Sequence, residues 1–211
     1  QLESRELPAG NVLVQLQNGN ATITGDAAAN QFEITGALNS ILVRGLEGTT
    51  INGGSATFTL ATTSEFNGGL VISLGQGNDR LAIGADVSLG SVRILGEAGD
   101  DTISVTSSTV NGNLVIDAAD GTNTITLLNS TLKSHVAINA AGSSLISLRG
   151  GRIDGRLAVD TAGSDDQVSI DSTTVNGNTS IQVRAGNDVV ALRNATLNGE
   201  LYVDAGRGDD V

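Results

Sequence analysis

The sequence has no cysteine, which removes disulfide bonds and thiolate metal sites from consideration. Aromatic residues are nearly missing too: three Phe and one Tyr in 211 residues are too few to fill a conventional globular core. Basic residues are scarce beside acidic ones, 11 against 23, and the resulting formal charge of −12 repels phosphate backbones and anionic lipid headgroups. Nucleic acid is therefore not an expected partner, and membrane insertion is not expected either, because no apolar run approaches the roughly 20 residues of a membrane helix. The first residue, Gln1, is neither an initiator Met nor the start of a signal-peptide pattern, so the sequence reads as a processed or excised piece.

What is abundant is glycine, at 28 residues, together with 39% apolar residues that are mostly Val, Ile, Leu and Ala. That apolar content is too high for a disordered chain, and its arrangement is periodic. A phrase of Gly-x-Asp followed by alternating apolar residues places its third residue at Asp79, Asp101, Asn123, Ser144, Asp166, Asp188 and Asp210, at spacings of 22, 22, 21, 22, 22 and 22. A second phrase, apolar-Asn-Gly-x-Leu-x-Ile, places its glycine at Gly68, Gly90, Gly112, Gly155, Gly177 and Gly199, with Ser134 in its stead once. Two independent phrases in one register define a structural repeat.

Aligned on that register, five columns are aliphatic. One runs Leu81, Ile103, Ile125, Ile146, Val168, Val190, and the next Ile83, Val105, Leu127, Leu148, Ile170, Leu192. A third runs Phe66, Ser88, Val110, Leu132, Ile153, Val175, Leu197. The remaining two pass through Leu114 and Ile116, the first reading Thr at position 179. Ser104, Thr126, Ser147 and Ser169 separate the first two columns, giving the period-two alternation of strands buried on one face. The expected fold is an all-β, right-handed, single-stranded parallel β-helix of about 22 residues per coil, its hand following the general preference of parallel crossovers. One coil cannot bury its own apolar face, so stacking of about three or more is obligatory.

The first 55 residues do not keep the period. Asn11 to Gln15 and Ala21 to Thr24 alternate around a Gln17-Asn18-Gly19-Asn20 hairpin turn, and Gln31 to Thr35 and Ile41 to Arg44 read as further strands. Residues 11–55 are thus expected to form an N-terminal β cap, with 1–10 a loose arm and 56–211 the coils, which Phe58 and Leu60 would open. At the corners, Asn111-Gly112, Asn176-Gly177 and Asn198-Gly199 are read as positive-φ sites, with a stacked Asn column that includes Asn67 and Asp154. The one-residue deletion before Ser144 is placed in the opposite corner, near Ala141 and Gly142.

The segment Leu2-Glu3-Ser4-Arg5-Glu6-Leu7-Pro8-Ala9-Gly10, with Asn11-Val12-Leu13-Val14 and Ala21-Thr22-Ile23-Thr24-Gly25-Asp26, resembles the amino-terminal region of large secreted planctomycete surface proteins. The phrases Gly75-Gln76-Gly77-Asn78-Asp79-Arg80-Leu81 and Gly96-Glu97-Ala98-Gly99-Asp100-Asp101-Thr102-Ile103 are similar to the glycine- and aspartate-rich coils of that group. They are also distantly similar to the calcium-binding nonapeptides of repeats-in-toxin proteins. The resemblance implies an extracellular, cell-surface bacterial protein.

Chemistry-bearing candidates are few. Asp79, Asp100, Asp101, Asp165, Asp166, Asp188, Asp209 and Asp210 form carboxylate columns that a hard, oxygen-loving cation such as calcium would relieve of repulsion, although Asp and Asn also cap tight turns through their own backbone. Asp117, Asp160 and Asp204, with Asn139 between, form another column. No cofactor is required; calcium is the one candidate ion. His135 shares a column with Asn113, Arg156, Asn178 and Glu200 and carries no expected role. The near-constant period leaves no room for the long loops that wall the cleft of pectate-lyase-like enzymes, so the expected function is non-catalytic: a structural or adhesive extracellular module. It would be extended by further coils of the same chain or by head-to-tail self-association through Tyr202 and Val211 at one end and Val12 and Val14 at the other. A carbohydrate-binding or polysaccharide-degrading protein is the alternative, with a surface polysaccharide as its partner.

Overall fold

The computed structural model describes residues 10–17, 19–37, 40–61 and 68–211. Among these the chain is all β, without a helix. Its coils stack three parallel sheets. The nine-stranded sheet takes Arg80–Ile83, Thr102–Thr106, Asn123–Leu128, Ser144–Arg149, Gln167–Asp171 and Val189–Arg193 in succession. The ten-stranded sheet takes Gly69–Ser73, Val92–Leu95, Leu114–Asp117, Val136–Ala140, Leu157–Thr161, Thr179–Gln182 and Leu201–Asp204. Six two-residue strands, from Ser88–Leu89 to Thr196–Leu197, form the third side.

Each coil lies on its copy with equivalent residues paired, so Ile103 sits on Ile125 and Ile125 on Ile146, at the roughly 4.8 Å spacing of parallel strands. The alternation is what fixes this register, because a one-residue slip would turn every aliphatic side chain to water. Ile103, Val105, Ile116, Ile125, Leu127, Ile138, Leu148, Ile170 and Ile181 are all buried, as their columns require. The deletion falls where expected: Ala118 aligns with Ala140 but Asn123 pairs Ser144, and Gly142 lies against Gly121.

The N-terminal cap is built from β1 (Asn11–Gln17), β2 (Asn20–Thr24), β3 (Gln31–Ala37), β4 (Ser40–Gly45), β5 (Thr50–Ile51) and β6 (Thr57–Ala61). β2 and β3 already run parallel to the first coil, with Ile23 on Ile72 and Phe32 on Leu81. β1 and β4 fold back antiparallel on them as hairpins, and Gly19 takes positive φ in the β1–β2 turn. Of the sequence expectations, residues 1–9 of the arm, Asn18, Phe66 and Asn67 lie outside the described residues.

Three expectations are corrected. Phe58 and Leu60 do not open the coils: β6 runs antiparallel to β4, pairing Val43 with Phe58 and Ile41 with Leu60, and so belongs to the cap. Period-two alternation looks the same in either strand direction, so the pattern did not distinguish them. Ser88 does not share the column of Val110; Leu89 does, buried, while Ser88 is exposed. The turn at Gly84 to Asp86 carries one extra residue and the following corner one fewer, and the two cancel, so the flanking columns keep their spacing of 22.

The third correction concerns glycine. Gly112, Gly177 and Gly199 do not have positive φ, and neither do the Asn residues before them. A Cβ on Gly177 would stand 2.7 Å from the backbone carbonyl of Gly155, and one on Gly199 2.5 Å from that of Gly177. Glycine is needed there because successive coils touch backbone to backbone. Left-handed positions recur instead at the other two corners, at Asp86, Ser107, Asn129, Gly150, Ser172 and Asn194 in one and at Gly75, Glu97, Ala119, Arg184 and Gly206 in the other, and among the glycines of this phrase Gly68 alone has positive φ. The side-chain ladder beside the glycines does form, with Asn176 Nδ2 donating to Asp154 Oδ1 (2.9 Å) and Asn198 Nδ2 to Asn176 Oδ1 (2.8 Å).

Truncating one rung of the core tests this packing: Ile116→Ala should cost about 2–5 kcal/mol in chemical denaturation, whereas the outward Ser147→Ala should stay within about 0.5 kcal/mol.

Candidate functional site

The carboxylate columns lie at the corner where each strand of the ten-stranded sheet turns into the nine-stranded sheet. In the third coil, for example, Leu114–Asp117 leads through residues 118–122 to Asn123–Leu128. Two neighbouring positions of this corner form two separate ladders.

The inner ladder consists of Asn30, Asp79, Asp101, Asn123, Ser144, Asp166, Asp188 and Asp210. All are buried except Asp210, which is partly exposed. From Asp79 onward each Asp or Asn Oδ1 accepts the backbone N–H of its counterpart in the preceding coil, whereas Asn30 Oδ1 is buried without a partner. Asn30 N donates to Asp79 (2.6 Å), Asp79 N to Asp101 (2.9 Å) and Asp101 N to Asn123 (3.0 Å). After the break at the shortened corner, Ser144 N donates to Asp166 (2.7 Å), Asp166 N to Asp188 (2.7 Å) and Asp188 N to Asp210 (3.0 Å).

The outer ladder, one residue earlier and exposed, is stitched the other way. Here the N–H of the later coil donates to the earlier side chain: Asp100 N to Asn78 Oδ1 (3.0 Å), Thr122 N to Asp100 Oδ1 (2.7 Å), Asn187 N to Asp165 Oδ1 (2.7 Å) and Asp209 N to Asn187 Oδ1 (3.1 Å). The pairs Asp100-Asp101, Asp165-Asp166 and Asp209-Asp210 are thus divided between the two ladders. In the first two pairs one carboxylate bonds the preceding coil and the other the following coil, so the two do not converge as a chelate; in the last, Asp210 bonds the preceding coil. Among the described residues no group of three or more His, Cys, Asp or Glu side chains is placed to hold a metal.

The inner carboxyls have an unusual environment. Oδ2 of Asp79, Asp101, Asp166 and Asp188 is buried without a hydrogen-bond partner. Burial pushes the Asp79 and Asp101 carboxyls from 3.8 up to about 6, against the pull of the backbone N–H each accepts, and the stacked Asp101 and adjacent Asp100 charges push the same way. Asp166 and Asp188 are raised as well, again first by burial.

Sequence reasoning missed that Asn30 heads this column. The signal was present, since Asn30-Gln31-Phe32-Glu33-Ile34 repeats the polar-x-apolar-x-apolar pattern of Asp79 to Ile83. It also missed Asn78 and Asn187 as rungs of the outer ladder.

The other candidates are dispersed. Asp117, Asn139, Asp160, Gln182 and Asp204 stack on the outer face of the ten-stranded sheet, where Arg184 clasps Asp160 through Nε (2.7 Å) and Nη2 (2.6 Å). A depression of about 400 Å³ lies there, lined by Asp117, Asn139, Asp160 and Arg184 among others. His135 is exposed, and its Nδ1 accepts the Arg156 N–H (3.0 Å), a stacking bond between corners. Tyr202 is exposed with its hydroxyl 3.4 Å from Asp204 Oδ2, and Val211 is exposed while its backbone pairs with Asp188 and Val190. Val12 and Val14 have side chains buried in the core, and β5 pairs the Asn11 and Val12 end of β1. Comparison with protein-family models, curated proteins and solved structures gives no match.

The amide rungs can be weighed directly. Asn123 accepts one backbone N–H and its Nδ2 donates toward the carbonyls of Ala118, Ala119 and Asp120. Asn123→Ala should therefore lower stability by about 1–3 kcal/mol, since it leaves buried groups unpaired. Asp100→Ala, on the exposed ladder, should produce a clearly smaller shift of the denaturation midpoint.

Proposed function

We propose that the chain is a non-catalytic extracellular module, a stiff β-solenoid segment that spaces or displays parts of a cell surface. The observation that carries this reading is the unbroken register: from Arg80 to Asp204, every strand of the two large sheets pairs with its counterpart one coil away, without an inserted loop between coils. Binding and catalytic groups are ordinarily carried on loops that a scaffold positions. Here the outward faces are instead stacked short side chains such as Ser104, Thr126, Ser147 and Ser169. The likeness of the Gly-Asp phrases to secreted surface proteins supports an extracellular setting.

Of the two ways to extend such a module, further coils of the same chain fit better than head-to-tail docking. The cap ends in the short β5 and the antiparallel β6, an arrangement that blunts strand edges, and it buries Val12 and Val14. A polysaccharide-degrading role would fall on the depression beside Asp117 and Asp160, but the two-bond clasp of Arg184 already engages Asp160.

Two measurements test the proposal. Incubation with a panel of plant, algal and bacterial polysaccharides should release no shortened or unsaturated products, and product release would overturn the reading. Electron micrographs of the purified chain should show discrete rods; filaments with a subunit repeat would favour the fibre instead.

A further inference from the structure

The inner ladder alternates two chemistries at one geometry. Where it carries an amide, Nδ2 points at the carbonyls of the corner: Asn30 donates to Ala28 (2.7 Å), Asp26 (3.3 Å) and Leu74 (3.4 Å), and Asn123 to Ala118 (3.3 Å), Ala119 (3.4 Å) and Asp120 (3.4 Å). Where it carries a carboxyl, Oδ2 takes that place. A Cβ on Gly25, five residues before Asn30, would stand 2.7 Å from Asn30 Nδ2; one on Gly96, five residues before Asp101, would stand 2.7 Å from Asp101 Oδ2 and 2.7 Å from the Ala118 carbonyl oxygen. At Asn30, Asn123 and Asp101 the position thus faces acceptors and calls for a donor, which an ionised oxygen is not. The four Oδ2 atoms are buried and unpartnered accordingly.

We propose that Asp79, Asp101, Asp166 and Asp188 are proton-binding rungs, each taking a proton from water onto Oδ2 and presenting O–H to the corner carbonyls as asparagine presents N–H, so that mild acid tightens the solenoid. The charged groups acting on them are themselves carboxylates: Asp26 and Asp101 on Asp79, Asp100 on Asp101, Asp165 and Asp188 on Asp166, and Asp165 and Asp210 on Asp188. Donors pull the other way at two rungs, the Thr161 hydroxyl beside Asp166 and the Asn30 side chain beside Asp79. The shifted titration agrees in sign. Asp79 and Asp101 bind their proton near pH 6 when folded and near 3.8 when unfolded, so the stabilisation is complete below about 3.8 and is lost as pH rises through about 6. That gap corresponds to roughly a hundredfold in the folding equilibrium for each group.

Acid also relieves the general repulsion of a −12 chain, so the experiment compares substitutions of equal charge. Thermal melts from pH 4 to 7.5 are run on the parent, on the inner double variant Asp79→Asn/Asp101→Asn, and on the outer double variant Asp100→Asn/Asp165→Asn. The inner variant should melt well above the parent at pH 7.5, with the advantage gone by pH 4, while the outer variant keeps the sign of the parent's acid stabilisation at a reduced size, because two of the charges that raise the inner carboxyls are gone. The reverse substitution, Asn123→Asp, should lower the midpoint at pH 7.5 and recover by pH 4. An inner variant no more stable than the parent at pH 7.5, or an Asn123→Asp penalty that persists in acid, would overturn the proposal. So would a rise in the parent's midpoint with millimolar calcium at pH 7.5 that the inner substitutions abolish, since that would assign the column to a cation.

Discussion

In a stack of equal coils, every residue has its own counterpart as nearest neighbour above and below, and nearly all of this structure follows from that condition. A side chain is acceptable only if it tolerates a copy of itself about 4.8 Å away. Aliphatic residues meet the condition without adjustment, which is why the columns through Ile103 and Ile116 stay aliphatic from coil to coil. Asparagine meets it by being donor and acceptor at once, as Asn176 is, accepting from Asn198 and donating to Asp154. Glycine meets it where backbones touch, at Gly155, Gly177 and Gly199. A carboxylate meets it least well, and the aspartates of the corner depend on backbone N–H groups to do so.

The same condition decides what could be read from the sequence. The aliphatic columns were legible because stacking repeats them, and the corner deletion near Gly142 was legible because it shifted every column after it. The compensated shift around Leu89 was hidden, since its two halves cancel before the next column and only the short third side feels it. Strand direction in β6 was hidden for a different reason. Alternation reports which face is buried, and Phe58 and Leu60 satisfy it against β4 as well as they would against a coil.

At the corner, the position of the aspartates was legible but their surroundings were not. Gly-x-Asp reads as turn chemistry, and turns are ordinarily wet. Burial of Asp101 and exposure of Asp100 differ by a single step along the chain, and only the path of the corner in three dimensions settles which of the two is enclosed. The roles of Gly112 and Gly177 were misassigned for a similar reason: glycine answers both a positive φ and a close approach, and sequence does not separate them.

The opposed stitching of the two corner ladders has a mechanical consequence. Axial tension on the rod opens the bonds between coils one coil at a time, because those bonds lie along the axis while the strands lie across it. Away from the shortened corner, the inner rung holds the earlier coil's amide and the outer rung the later coil's, so neither coil can tilt away there without breaking a bond of each sense. When a coil does yield, about 22 residues are released together, and the contour lengthens by on the order of 70 Å. A solenoid of this kind resists small loads as a rod and gives way to larger ones in discrete steps, one repeat per step.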